Sequence, residues 1–212
     1  MSFYAGIENF KRIRSNIAFE LINNKLNAAS LTDCVYEKVY DLAIVYIILT
    51  FDRDDLPAIT RIDKDTFASW KLPMDDLKSI AFHNTEKLLP SRIELLKGVF
   101  KRNSDIDIYI CSNPRQFLGA SVMLYKSRPL QTFSHNKRMN LLIIPSSIHE
   151  LLLVEAKDYI GIGKLRDVMR EFNEKTNKRS EVLSSNIYRY MQKNSDIEMM
   201  ASYESMFRNY LV

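Results

Sequence analysis

The chain has 212 residues, 46% of them hydrophobic and 26% charged, enough apolar material for a buried core and far from the composition of a disordered segment. A formal net charge of +4 is too small for a protein that coats DNA through charge, and five glycines are too few for a chain built around phosphate-cradling loops. Two cysteines, Cys34 and Cys111, lie far apart, which excludes a disulfide scaffold or a paired-cysteine zinc site and reads as two reduced thiols of a cytosolic protein.

The first residues, 1–6, hold no basic segment leading into an apolar one, so no signal peptide is expected. Ile7, Phe10, Ile13, Ile17 and Leu21 recur at steps of three and four, which predicts one helix ending near Asn23 to Asn27, with Lys11, Arg12 and Glu20 on its other faces. A second short helix is expected over 31–39, capped by Ser30 or Thr32.

Residues 41–51 are apolar on both alternating faces, the pattern of a central strand covered on each side. Leu42 to Phe51, interrupted only by Thr50, is the longest apolar run, and it is too short for the roughly 20 residues a membrane-spanning helix needs, so no membrane contact is expected and the cytoplasm is the expected location. A turn at 52–55 returns the chain along 56–62, an edge strand because Pro57 has no N–H to donate. Asp63 to Thr66 should cap a short helix ending near Trp70. Pro73 followed by Asp75 and Asp76 should open a longer helix that stops before Pro90. Asn84 falls on the apolar stripe of that helix with Leu77, Ile80, Ala81 and Leu88. Such an amide either bonds backbone groups of a neighbouring loop or lines a pocket.

From Ile106 onward the pattern predicts strands at 106–111, 119–125, 141–145 and 148–154, paired as two hairpins with a basic connection between them. Gly161 and Gly163 precede a helix with Leu165, Val168, Met169 and Phe172 inward. A short strand over 186–191 should close a sheet edge, and the tail 196–211 reads as an amphipathic helix able to dock on its own domain or pair two chains as a homodimer. Helices around hairpin-connected strands give an α+β fold with a mainly antiparallel sheet. No linker divides it, so 1–212 reads as one domain.

Several blocks carry a resemblance. They are Leu21-Ile22-Asn23 with Asn27 and Leu31, then residues 41–46; Trp70 through Asp75-Asp76-Leu77 and Ala81 to Asn84-Thr85; and Gly119-Ala120-Ser121, residues 143–151, residues 168–173 and Val182-Leu183-Ser184. In these the chain resembles an uncharacterised domain family of unknown function widespread in Firmicutes, over about residues 15–192. It departs from the family near Cys34-Val35, where a proline is usual, and after Met191. The resemblance implies one bacterial domain and no particular activity, substrate or catalytic set.

Ser146, Ser147, His149 and Glu150 bring hydroxyl, imidazole and carboxylate together, but no Gly-flanked serine elbow accompanies them. Their readings are a hairpin turn whose hydroxyls bond the turn backbone, or a serine/histidine hydrolase. The three histidines, His83, His135 and His149, have no metal-ligand spacing, and neither metal nor cofactor is expected. The clearest asymmetry lies between Asp107 and Glu150, where no acidic residue occurs while Arg115, Lys126, Arg128, Lys137 and Arg138 do. Those five either sit singly on solvated loops or contact an anion or nucleic acid. The leading expectation is a non-enzymatic binding or adaptor domain that acts through a surface of the sheet or its basic connection, with a protein or a nucleic acid as partner; the alternative is a nucleic-acid-associated or anion-binding protein that uses the acid-free stretch 108–149.

Overall fold

The apolar run at the heart of residues 41–51 needs cover on both sides, and it forms the centre of a sheet. The structure, a computed structural model, describes residues 4–96, 107–156, 181–184, 186–193 and 196–200. The chain divides into two compact units, Met1–Pro90 and Ser91–Val212, which hold separate antiparallel sheets together with helices. The fold is α+β. The two sheets share no strand.

The first unit runs α1 (Ile7–Ile13), β1 (Ile17–Asn23), β2 (Tyr36–Val39), β3 (Leu42–Phe51), β4 (Pro57–Arg61), α2 (Lys64–Trp70) and α3 (Met74–Leu88). β3 is buried from Leu42 to Leu49. It pairs with β1 along one edge and, along the other, with β2 on its first half and β4 on its second. Pro57, opposite Phe51, sits on the outer strand as its missing N–H requires. Asp63 caps α2 by accepting from Thr66 N–H at 2.7 Å.

Two expected helices are strands instead. The helix that should run past Ile17 ends at Ile13, passes through a 3-10 turn at Arg14–Asn16, and gives way to β1. Ile17, Ala18, Phe19, Leu21 and Ile22 are apolar on both faces of a strand, and pairing with β3 buries them all. The helix expected over 31–39 is a 3-10 turn, Ala28–Leu31, followed by β2. Tertiary pairing with a strong central strand overrides a short helical pattern in both places.

The shift to a strand changes the fate of Glu20. On a helix it would face solvent; on β1 it is 1% exposed, and its Oε1 accepts from Arg61 Nε at 2.7 Å. Arg61 Nη1 also donates to Ser30 Oγ at 3.0 Å. Burial pushes the Glu20 carboxyl above its ordinary range, and the Arg61 charge only partly offsets this.

α3 packs on β1 through its Leu77, Ala81, Phe82 and Thr85 side, with the Phe82 ring stacked on Phe19 at 4.4 Å. It also satisfies free backbone groups of β1. Phe19 N–H donates to Thr85 Oγ1 at 2.9 Å, and Asn84 Nδ2 donates to Ile17 O at 2.9 Å. A helix laid on the strand in this way blunts an edge that would otherwise template pairing with another chain.

The second unit runs β5 (Arg92–Leu95), β6 (Ile108–Ser112), a 3-10 helix (Gly119–Leu124), α4 (Pro129–Lys137), β7 (Leu141–Ser147), β8 (Glu150–Glu155), β9 (Tyr188–Met191) and β10 (Asp196–Met199). Its sheet order is β10-β9-β7-β8-β6-β5. The β7–β8 hairpin was expected; the hairpin of 106–111 with 119–125 does not form. β6 pairs with β5 and β8, and Gly119 to Leu124 fold as a 3-10 helix against β6 and β8. The reason lies in the small residues Gly119, Ala120 and Ser121, buried in succession rather than in alternation. The basic connection contains α4, whose Phe133 meets Tyr109 edge-on at 4.9 Å.

β9 is not the sheet edge, because β10 pairs beyond it. The start of the expected tail helix is therefore a strand, with Ile197 and Met199 alternating with Asp196 and Glu198. Residues 201–212, Gly161 to Gly163 and the helix expected around Leu165 to Phe172 lie outside the described residues.

Candidate functional site

The motif-like block 145–150 folds as the β7–β8 turn. Ser147 Oγ accepts from His149 N–H at 3.1 Å, and Ser146 Oγ donates to Glu150 O and approaches Glu150 Oε1, both at 3.3 Å. His149 Nδ1 accepts from Leu118 N–H at 3.2 Å, which puts the proton of the neutral ring on Nε2. The carbonyl of His149 accepts from Ser112 Oγ at 2.7 Å. These bonds tie the turn to the loop at 113–118, itself folded around Asn113, whose Oδ1 accepts from Arg115 N–H at 3.0 Å and whose Nδ2 donates to Phe117 O at 2.7 Å. Burial pushes the Glu150 carboxyl up, opposed by the Ser146 hydroxyl. The hydroxyls bond the turn, which is the geometry of a hairpin lock.

Gly119 stands where this lock is tightest. A Cβ on it would lie 2.8 Å from Ser112 Cα and closer still to Ser112 Oγ and His149 O. Only glycine lets the 3-10 helix approach the strand and the turn this closely.

The five basic residues of the acid-free stretch do not share one element end. Arg128 precedes α4 and Arg138 follows it, about 15 Å apart along the axis at 1.5 Å per residue. Lys126 lies in the turn before α4, and Arg115 is in the loop after β6. Lys137 Nζ rests over the Tyr109 ring at 5.3 Å, a cation–π contact within its own unit.

A different basic site lies in the first unit. Lys11 and Arg14, from α1 and the turn after it, face Ser79 and His83 of α3 across an open cleft of about 510 Å³, with Ser15, Ile80 and Asn84 completing the wall. Of the seven lining residues three are basic, and none is acidic. Among the described residues the Arg14 guanidinium has no hydrogen-bond or ion-pair partner, whereas Lys11 reaches Glu8 at 2.7 Å in an exposed pair that solvent weakens.

Asn84 builds this cleft. Its Nδ2 donates to Arg14 O at 2.7 Å as well as to Ile17 O, so the amide pins the α1–β1 turn to α3 and sets the distance between the two basic walls. Both readings of this residue describe it: it bonds a neighbouring turn, and it lines a pocket. α1 buries none of its own residues fully. It is held by Phe10 against Trp70, by Trp70 Nε1 donating to Tyr4 O at 2.8 Å, and by Gly6 N–H donating to Ser69 Oγ at 2.7 Å.

Residues 2–192 match the profile of DUF5688, a family of unknown function. The chain belongs to this family. Neither a curated protein nor a solved structure matches it. The family match begins before α1, so both walls of the cleft lie inside it, as does the turn cluster around His149. Sequence reasoning missed the cleft. Its signal was the Lys11-Arg12-Ile13-Arg14 run, which on a continuous helix looks like an ordinary solvated face.

No described helix is long and apolar enough to cross a membrane. No described group of His, Cys, Asp or Glu has the clustering of a metal site.

Proposed function

We propose that this member of DUF5688 is a non-enzymatic binding protein of the cytoplasm that recognises an anionic group in the cleft between α1 and α3. The observation that carries the reading is the Arg14 guanidinium, free of any described partner, beside Lys11 and His83 in a cleft with no carboxylate in its wall. A guanidinium offers a planar fork of N–H donors that matches phosphate or carboxylate oxygens in pairs. A concave wall concentrates the positive potential of neighbouring bases. The Lys11–Glu8 pair is exposed on both sides, so an incoming anion can take Lys11 with little loss.

Titration calorimetry of the full chain with inorganic phosphate at two salt concentrations tests this. The expected result is binding that weakens as salt rises and weakens about tenfold in Arg14→Ala, the loss of one charge-assisted contact. Absence of binding at millimolar phosphate, or equal binding by the Arg14→Ala variant, overturns it.

A further inference from the structure

Resting on that reading, we infer that the ligand of the cleft is a small phosphomonoester with a hydroxyl close to its phosphate, as in a polyol or sugar phosphate. The wall is chemically two-sided. Lys11, Arg14 and His83 offer N–H donors to an anion, whereas Asn84 and Ser15 offer acceptors. Both donor bonds of Asn84 Nδ2 go to chain carbonyls, Arg14 O and Ile17 O, which fixes the amide orientation and leaves Oδ1 as its polar atom for a ligand. Ser15 Oγ donates to Asn16 Oδ1 at 3.2 Å, so its remaining capacity is also that of an acceptor.

The dianion of a simple alkyl phosphate brings only acceptors and leaves Asn84 Oδ1 and Ser15 Oγ without a donor from the ligand. A ligand hydroxyl supplies that donor. Missing such a partner is the kind of mismatch by which polar sites discriminate strongly between otherwise similar ligands.

The size and composition of the cleft narrow the class further. About 510 Å³ lies within the usual range for small-molecule sites. The wall holds no Phe, Tyr or Trp, its one ring is the imidazole of His83, and Ile80 is its one apolar side chain, so the lining residues offer a nucleobase little area to stack on. The cleft therefore suits phosphate and hydroxyl better than a base.

The test compares four probes on the full chain by calorimetry: glycerol 3-phosphate, ethyl phosphate, a phosphoserine peptide and a single-stranded oligonucleotide. Glycerol 3-phosphate is expected to bind about tenfold more tightly than ethyl phosphate, the scale of one well-placed hydrogen bond. Arg14→Ala should weaken both, and Asn84→Ala should erase the difference between them. Should Asn84→Ala fail to fold, the wild-type ratio alone decides. Equal affinity for the two esters, both sensitive to Arg14→Ala, overturns the hydroxyl inference and leaves the anion reading intact. Tighter binding of the peptide or the oligonucleotide than of either ester overturns the small-ligand inference. Failure of every probe and of inorganic phosphate removes the anion reading itself.

Discussion

Gly119→Ala is expected to destabilise the second unit by about 3 kcal/mol, the upper end of the range for forcing an extra carbon into a filled site. The new methyl would meet Ser112 Cα at 2.8 Å, with Ser112 Oγ and the carbonyl of His149 nearer still. Two of the three obstacles are backbone atoms, which no side-chain rotation removes. Relief requires the 3-10 helix to move off β6 and β8, breaking the Ala120 N–H bond to Ile148 O and the Leu118 N–H bond to His149 Nδ1. Removing only the hydroxyl, in Gly119→Ala with Ser112→Ala, should recover little, because the His149 carbonyl still stands in the way. Denaturant unfolding followed by far-ultraviolet circular dichroism, with amide exchange read at β7 and β8, measures the loss. Wild-type stability in the single variant would mean that the turn is not packed as described.

The second large effect concerns the buried carboxylate of β1. Arg61→Met is expected to destabilise the first unit by about 3 kcal/mol, because removing one partner leaves the other charge buried without compensation. Trp70, the chain's only tryptophan and buried at 3% exposure, reports unfolding of this unit. The sign of the pH dependence follows from the raised pKa of Glu20. A carboxyl whose folded pKa lies above its unfolded value binds its proton more tightly in the native state. Its contribution is therefore full below the unfolded pKa and is lost as pH rises through the folded one.

Glu37 and Asp63 behave oppositely. Burial raises both, but bonds from Lys78 and Tyr46 to Glu37, and from Thr66 to Asp63, win and lower them, so their contributions are lost as pH falls. Comparing the wild type with Glu20→Gln across mildly acidic to neutral pH cancels those common terms. The wild type should lose stability relative to Glu20→Gln as pH rises, and more steeply once Arg61 is replaced. A difference that stays flat with pH would show that Glu20 is not buried with a raised pKa.

Much of the fold was legible where several signals agreed. β3 announced itself by burial on both faces, and α2 and α3 by Asp63, Pro73 and the acidic pair Asp75 and Asp76 at the start of α3. β1 was not legible, because Ile17 and Leu21 continue the three- and four-residue steps of α1, and only pairing with β3 distinguishes strand from helix. α4 was hidden in a polar stretch read as connection. It ends at Arg138 in the left-handed region, where glycine is the usual signal.

The site divides in the same way. Ser146, Ser147 and His149 stood out as residue types, and their bonds to the turn backbone follow from the local chain. The cleft did not stand out, because its walls come from α1 and α3, far apart in sequence, and each wall alone is an ordinary charged helix face. Asn84 was the one readable clue, an amide on an apolar stripe whose partners turn out to be the carbonyls that hold the walls together.

The central claim is that anions bind between α1 and α3, and amide chemical shifts of the isotopically labelled full chain under phosphate titration test it most directly. The account predicts that the largest saturable shifts fall at Arg14, Ser15, His83 and Asn84. Shifts that gather instead at Arg115, Lys126, Arg128, Lys137 and Arg138, or that nowhere saturate, would contradict it.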